Sequence, residues 1–221
     1  MRADDSATRT ERRVRATRRK ILSAARIVFS EKGFNQARID DITERADVGK
    51  GTFYNYYETK DQLVQELVET MIRELIKNLK ANGRERSDLS SLIDSIIETH
   101  IHFFSNRWED FALFFQGRTD LTLQHGVDGI EKPYADYLAC MERMILRVMR
   151  TKLPANVLSR IACAIAGFVS GYYAFAVIAS NDEDVDVVFN SLKGAIVAGL
   201  VRFVNEAALL NQKETDKNEA R

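Results

Sequence analysis

The chain has 221 residues, 45% of them hydrophobic, and only two prolines, so it is long enough to bury a sizeable core in one large domain or two smaller ones. Its formal net charge is zero, which argues against a uniformly basic nucleic-acid binder. The zero hides an asymmetry. Residues 1–57 carry 13 Lys/Arg against 8 Asp/Glu, and within them 9–20 (RTERRVRATRRK) hold seven basic residues and one acid. Two cysteines, Cys140 and Cys163, read as buried thiols of a reduced protein. The charged N-terminus predicts no signal peptide.

In chain order, residues 1–11 read as a flexible basic arm. A first helix is expected over about 12–32, where Ile21, Leu22, Ala25, Val28 and Phe29 form one apolar stripe and Gly33 stops it. A short helix fits Ile39–Ala46. Next comes VGKGTFYNYYETKDQL, residues 48–63, with glycines and aromatics where good helix formers flank it. From Lys60 to Gly83 a leucine repeat predicts a long helix, and residues 88–106 predict another. Residues 107–117 form a short aromatic one and 118–130 look irregular. Helices over about 131–152, 155–180 and 185–209 follow, with an acidic turn at 181–184 and a frayed tail from 212. The expected fold is all-α, with about nine helices.

Two short helices joined by a tight turn and preceded by a longer one make a three-helix DNA-binding unit. Asp47 suits a left-handed turn residue and Gly49 an N-cap. The second short helix would run about Lys50–Tyr56. Val48, Phe53 and Tyr57 face inward, while Lys50 with Tyr54 and Gly51 with Asn55 line the opposite face at i,i+4. Lysine and asparagine reach base edges, and Thr52, Tyr54, Tyr56 and Lys60 suit phosphate oxygens.

These residues carry a resemblance. GF-x4-I-x2-I-x3-A-x-V-x-KGTFYNYY-x2-K-x2-L, residues 33–63, resembles the TetR family of one-component repressors, over about residues 12–63. The resemblance implies a homodimer on a palindromic operator, the third helix in the major groove, and a C-terminal effector pocket whose ligand weakens DNA binding. It divides the chain into a DNA-binding domain over 12–60, an effector and dimerisation domain over 61–211 and a flexible tail over 212–221. Departures are present: Ala37-Arg38 stand where threonine or serine is usual, leaving Arg38 as a phosphate contact, and Asp47 and Gly49 replace the usual Gly and Ser.

In the rest of the chain, residues 161–181 carry no charge and reach membrane-spanning length, with Gly167 and Gly171 spaced as G-x-x-x-G. Modest hydropathy and missing basic flanks favour a soluble helix buried on all sides, and no membrane partner is expected. By the resemblance the last two helices form the dimer interface, through Gly167, Gly171, Phe175, Gly194, Val197 and Val201. An effector with an apolar body would sit among Phe104, Trp108, Phe111, Phe115, Tyr137, Phe168 and Tyr172, with Gln116, Arg118 and His125 as polar contacts. Glu98 and His102 share a helix face but are too few for a metal site. Residues 1–221 show no nucleophile–base pair, phosphate loop or H-E-x-x-H, so neither catalysis nor a cofactor is expected, and the protein is expected to be cytoplasmic. Two other classes stay open: a helical binder of lipid-like ligands without DNA function, and a single-span membrane protein.

Overall fold

The computed structural model describes residues 8–105, 107–123, 129–149, 153–178 and 185–219, with the side chains of 118–123, 155, 173–178, 185–191 and 212–219 left aside. Among the described residues every element is helical: α1 Arg9–Gln36, α2 Ile39–Ala46, α3 Lys50–Tyr54, α4 Lys60–Gly83, α5 Leu89–Phe104, α6 Trp108–Leu123, α7 Glu131–Val148, α8 Ala155–Ile178 and α9 Val185–Glu219. Several boundaries differ from the sequence expectation. Helix α1 starts at Arg9, because Thr8 and Glu11 form a reciprocal capping box: the Glu11 N–H donates to Thr8 Oγ1 at 3.2 Å and the Thr8 N–H to Glu11 Oε2 at 2.8 Å. Residues 9–11 are thus helix, not loose arm. Helix α6 continues to Leu123 through a stretch expected to be irregular, and α9 continues to Glu219 through the expected tail. The acidic turn at 181–184 lies outside the described residues.

Chain contacts define two compact units, residues 1–72 with 107–133, and residues 73–106 with 134–221. In the first, the face of α1 bearing Ile21, Ala25, Val28 and Phe29 packs on α2 and α6, and each of these side chains is buried. Arg26 and the Phe29 carbonyl tie α1 to α6, and Arg107, just before α6, joins the Arg26 pair. Arg26 Nε lies 3.2 Å from Asp110 Oδ1, in the first turn of α6 and 2% exposed, and Arg107 Nη1 lies 3.7 Å from its other oxygen. Gln116 Nε2 donates to the Phe29 carbonyl at 3.1 Å.

The exposed half of α1 carries a cost. Arg9–Arg12, Arg9–Arg13, Arg12–Arg15, Arg15–Arg18 and Arg15–Arg19 are like-charged neighbours on the helix surface. Together they oppose helix formation by about 1–2 kcal/mol.

In the second unit, α5 packs on α8 and α9. Asp88 caps α5 by accepting the Ser91 N–H at 2.9 Å, and the Ser91 hydroxyl, followed by that bond, holds its carboxyl below the usual range. His100 is fully buried: Nδ1 lies 2.7 Å from the Ile96 carbonyl and Nε2 2.7 Å from Tyr137 Oη. The ring therefore donates from Nδ1 and accepts the Tyr137 proton at Nε2, and burial lowers its pKa to about 4. Arg147 holds the carbonyls of Gly83, Arg84 and Arg86 at the end of α4.

Three expectations change here. Cys140 is buried, and burial pushes its thiol pKa up, but Cys163 is exposed. Helix α8 is not buried on all sides. Ile161, Ala162, Ile165, Ala166, Val169 and Ser170 form its buried face, while Cys163 and Ala164 face outward. Among the described residues the segment long and apolar enough to cross a membrane is not in α8 but at Leu192–Asn211 in α9, with mean hydropathy 1.3 and 17% of its apolar window buried.

Candidate nucleic-acid interface

Helices α2 and α3 are set by one backbone inversion. The paired isoleucines place Ile42 in the core, with Ala46 and Thr43 beside it. Asp47 then adopts φ 53°, ψ 53°, the left-handed conformation that aspartate tolerates better than most residues. Its N–H donates to the Glu44 carbonyl at 3.1 Å and that of Val48 to Thr43 at 3.0 Å, so the end of α2 is satisfied as the chain turns. Gly49 starts α3 with extended backbone and no side-chain cap; its carbonyl accepts from Thr52 at 2.8 Å and Phe53 at 3.2 Å.

Helix α3 ends at Tyr54 rather than Tyr56, and the turn it opens is held from below. Phe53 is completely buried and meets Tyr57 at 5.7 Å between ring centroids. The Tyr57 hydroxyl donates to Glu66 Oε2 at 2.9 Å and accepts from Arg18 Nε at 3.4 Å, and burial pushes its pKa up to about 12. Arg18 also pairs with Glu66 at 2.8 Å. Val48 is half-buried. Lys50, Gly51, Tyr54 and Asn55 are exposed, Tyr54 by 48%, and Thr52 and Tyr56 are partly so. This exposed strip carries no aliphatic side chain, although an anchored aromatic lies directly beneath it.

Two of the expected contacts have partners inside the protein. The Lys50 ammonium pairs with Asp40 Oδ1 at 2.7 Å, which raises its pKa, and both groups are well exposed. Lys60 is half-buried, and its ammonium donates to the carbonyls of Phe34, Asn35 and Ala37. It closes the carbonyl end of α1 after Gly33, whose φ of 77° breaks the helix there. As an open phosphate contact Lys60 is therefore corrected: its three N–H donors are committed to α1. Arg38 stays exposed. Its backbone N–H donates to Asp41 at 2.9 Å, the N3 half of a capping box, and Asp41 is lowered in pKa chiefly by its bond from Lys32; no side chain replaces the threonine or serine hydroxyl that would accept an N–H of the first turn.

The expected effector set is divided between the two units. Phe104 and Tyr137 belong to the second unit and are buried as core; the Tyr137 hydroxyl is committed to His100. Phe168 and Tyr172, in the same unit, are half-buried with centroids 6.5 Å apart. Phe111 is core of the first unit, and Trp108 is 45% exposed against it. Phe115 and Gln116 line a groove of about 300 Å³ with Lys32, Phe34 and Gln36. The side chains of Arg118 and Phe175, and all of His125, lie outside the description. Among the described residues no group of three His, Cys, Asp or Glu is placed to hold a metal. Glu98 pairs with Lys193 instead, and Lys193 also meets Asp94 at 3.0 Å. Of the expected dimer residues, Gly167 and Gly171 border open space, Gly194 is exposed and Val201 half-buried, but Val197 is buried inside its own unit and has no surface to offer.

The sequence profile of the family described as "Bacterial regulatory proteins, tetR family" matches residues 21–67, the stretch from the middle of α1 into α4. Over residues 21–67 the chain belongs to the TetR family. A relative, the uncharacterized HTH-type transcriptional regulator YvdT of Bacillus subtilis (strain 168), is 29% identical over 126 residues, 57% of this chain and 63% of the relative. The HTH-type transcriptional regulator UidR of Escherichia coli (strain K12) is 38% identical over 52 residues, 24% of this chain and 26% of UidR. The chain thus matches less than two thirds of the length of these regulators. Among solved structures, the transcriptional regulator FadR from Bacillus subtilis in complex with stearoyl-CoA superimposes with a TM-score of 0.66 at 19% identity, covering 82% of this chain and 98% of FadR. That likeness shows a shared fold.

Proposed function

We propose that this TetR-family chain is an effector-responsive transcriptional repressor that binds a palindromic operator as a homodimer and is released by a small, largely apolar ligand. The observation that carries the reading is the α2–α3 pair: a left-handed Asp47 turn, a buried Phe53 anchor and an exposed strip of Lys50, Gly51, Tyr54 and Asn55. Such a short helix, held from behind and polar in front, suits the major groove. Lys50 and Asn55 read base edges there. Thr52, Tyr54, Tyr56 and Arg38 hold phosphates. The 12–60 segment acts as the DNA-binding domain and 61–211 as the effector and dimerisation domain, in the cytoplasm.

Dimerisation would use the open face of α8, at Gly167 and Gly171, and the exposed face of α9, where Gly194, Leu192, Phe203, Leu209 and Leu210 lie uncovered. An interface of this kind typically exceeds ~2,000 Å². For the ligand, the fold shared with FadR, whose solved structure is a complex with stearoyl-CoA, and the half-buried aromatic pair Phe168 and Tyr172 support an acyl chain. Selection of duplexes from a random-sequence pool tests the reading. The wild type is expected to enrich a palindrome, and Lys50→Ala to lose preference for it. No enrichment would leave the chain as a helical ligand binder without DNA function. Native mass spectrometry of the purified protein, with and without a long-chain acyl-CoA, tests the ligand class.

A further inference from the structure

The strongest charge feature of the molecule lies outside the matched module. Helix α1 begins at Arg9, twelve residues before the family profile starts at Ile21. Those twelve residues hold seven cations, of which Arg9, Arg12, Arg13, Arg15, Arg18, Arg19 and Lys20 are all exposed. At 100° per residue, Arg12 and Arg19 stand one above the other opposite the buried Ile21 and Val28, flanked by Arg9 and Arg15. The stripe from Arg9 to Lys20 is about 17 Å long.

This arrangement is unfavourable for the free protein. Cations crowd the positive end of a helix, and like charges repeat at three- and four-residue spacing. The capping box nonetheless holds the segment helical. Its position is also fixed. Arg18 is tied to Tyr57 and Glu66, three and twelve residues beyond the end of α3, and Arg9 stands about 14 Å of helix past that tie. The basic stripe therefore projects from the part of the first unit that carries the reading segment.

We infer that the basic stripe of α1 is a second DNA-binding surface, which grips the phosphate backbone beside the bases that α3 reads. The placement of that backbone rests on the reading proposed above. Duplex DNA presents one negative charge per about 1.7 Å of axis, so a 17 Å stripe meets several phosphates at once. A membrane surface fits less well. Before Ile21 the stripe helix offers Val14 as its one large apolar side chain, with no apolar face to insert.

The test uses the full-length protein and three duplexes: the selected palindrome with long flanks, the same palindrome trimmed of flanks, and a random-sequence duplex. Combined Arg9→Gln, Arg12→Gln and Arg19→Gln should lower the slope of log K against log salt by about three per protomer. The loss should be equal on the flanked palindrome and the random duplex, and smaller on the trimmed one. Replacing the same three arginines by lysine should restore the slope, with circular dichroism showing unchanged helix content in both variants. An unchanged slope, or a loss confined to the palindrome, overturns the inference. So does a variant that keeps DNA binding but loses adhesion to phosphatidylglycerol vesicles. Lys50→Ala separates the two readings. If it leaves the preference for the palindrome intact, the reading role of α3 fails, while the salt slope still decides the stripe.

Discussion

Lys60 illustrates how a single side chain can be misassigned from its position in the chain. It opens α4 next to the reading segment, where a cation suits a phosphate, yet its ammonium satisfies three carbonyls at the end of α1. Lys60→Met is therefore expected to destabilise the fold by about 1–2 kcal/mol, read from its urea midpoint, because helix-end carbonyls lose a charged donor. Lys50 differs: its exposed pair with Asp40 is worth little in water. Asp40→Asn frees the cation and removes an anion beside the proposed groove, so tighter DNA binding, by a few-fold in fluorescence anisotropy, is the expected result. His100 makes a pH prediction. Its pKa is about 4 in the fold against an ordinary 6.5, so the unfolded chain binds the extra proton between these values. Its stabilising effect is complete above about pH 6.5 and is lost as pH falls toward 4, by at most roughly 1.4 kcal/mol per pH unit. His100→Gln should flatten that part of the stability profile measured by urea titration from pH 7.5 to 4.5.

At the scale of elements, α1 is the piece on which the first unit is assembled. It carries the apolar stripe, the Gly33 break capped by Lys60, and the polar ties to α6 through Asp110 and Gln116. Asp110 is a nearly inaccessible carboxylate facing Arg26 and Arg107, both partly exposed. Removing it leaves guanidinium groups without their partner, a cost largest when the group is buried. Asp110→Ala should lower stability by about 2–3 kcal/mol in chemical denaturation, and Asp110→Asn by less, since the amide oxygen still accepts. Neither change touches α3, so a folded variant should keep the relative preference for a selected duplex over a random one.

Over the whole molecule, the chain enters the second unit within α4, between Ile72 and Arg73, returns to the first for α6, and leaves it again in α7. Helix α9 leaves Phe203, Leu209 and Leu210 exposed at 39–64%, more apolar surface than one helix of a lone chain normally shows to water. Combined Phe203→Asp and Leu210→Asp should convert the proposed dimer to monomers in sedimentation velocity. An unchanged sedimentation coefficient would place the contact elsewhere.

The all-α class, the α2–turn–α3 unit, the left-handed Asp47 and the buried Phe53 and Tyr57 were legible in the sequence, because periodicity and turn chemistry are local properties. The resemblance through KGTFYNYY was legible for the same reason: a short helix with few internal bonds depends on particular residues at particular spacings. Other features depended on groups far apart in the chain. Lys60 finds carbonyls 23 to 26 residues earlier, Tyr137 gives its proton to a histidine 37 residues away, and Asp110 meets an arginine 84 residues before it. Aromatic content alone could not separate core from pocket, since Phe104 and Phe111 are buried while Trp108 and Phe115 reach solvent. Spacing along a helix assigns a face; only the packed chain decides what that face meets, because hydrogen-bond partners and burial are set by contacts between elements.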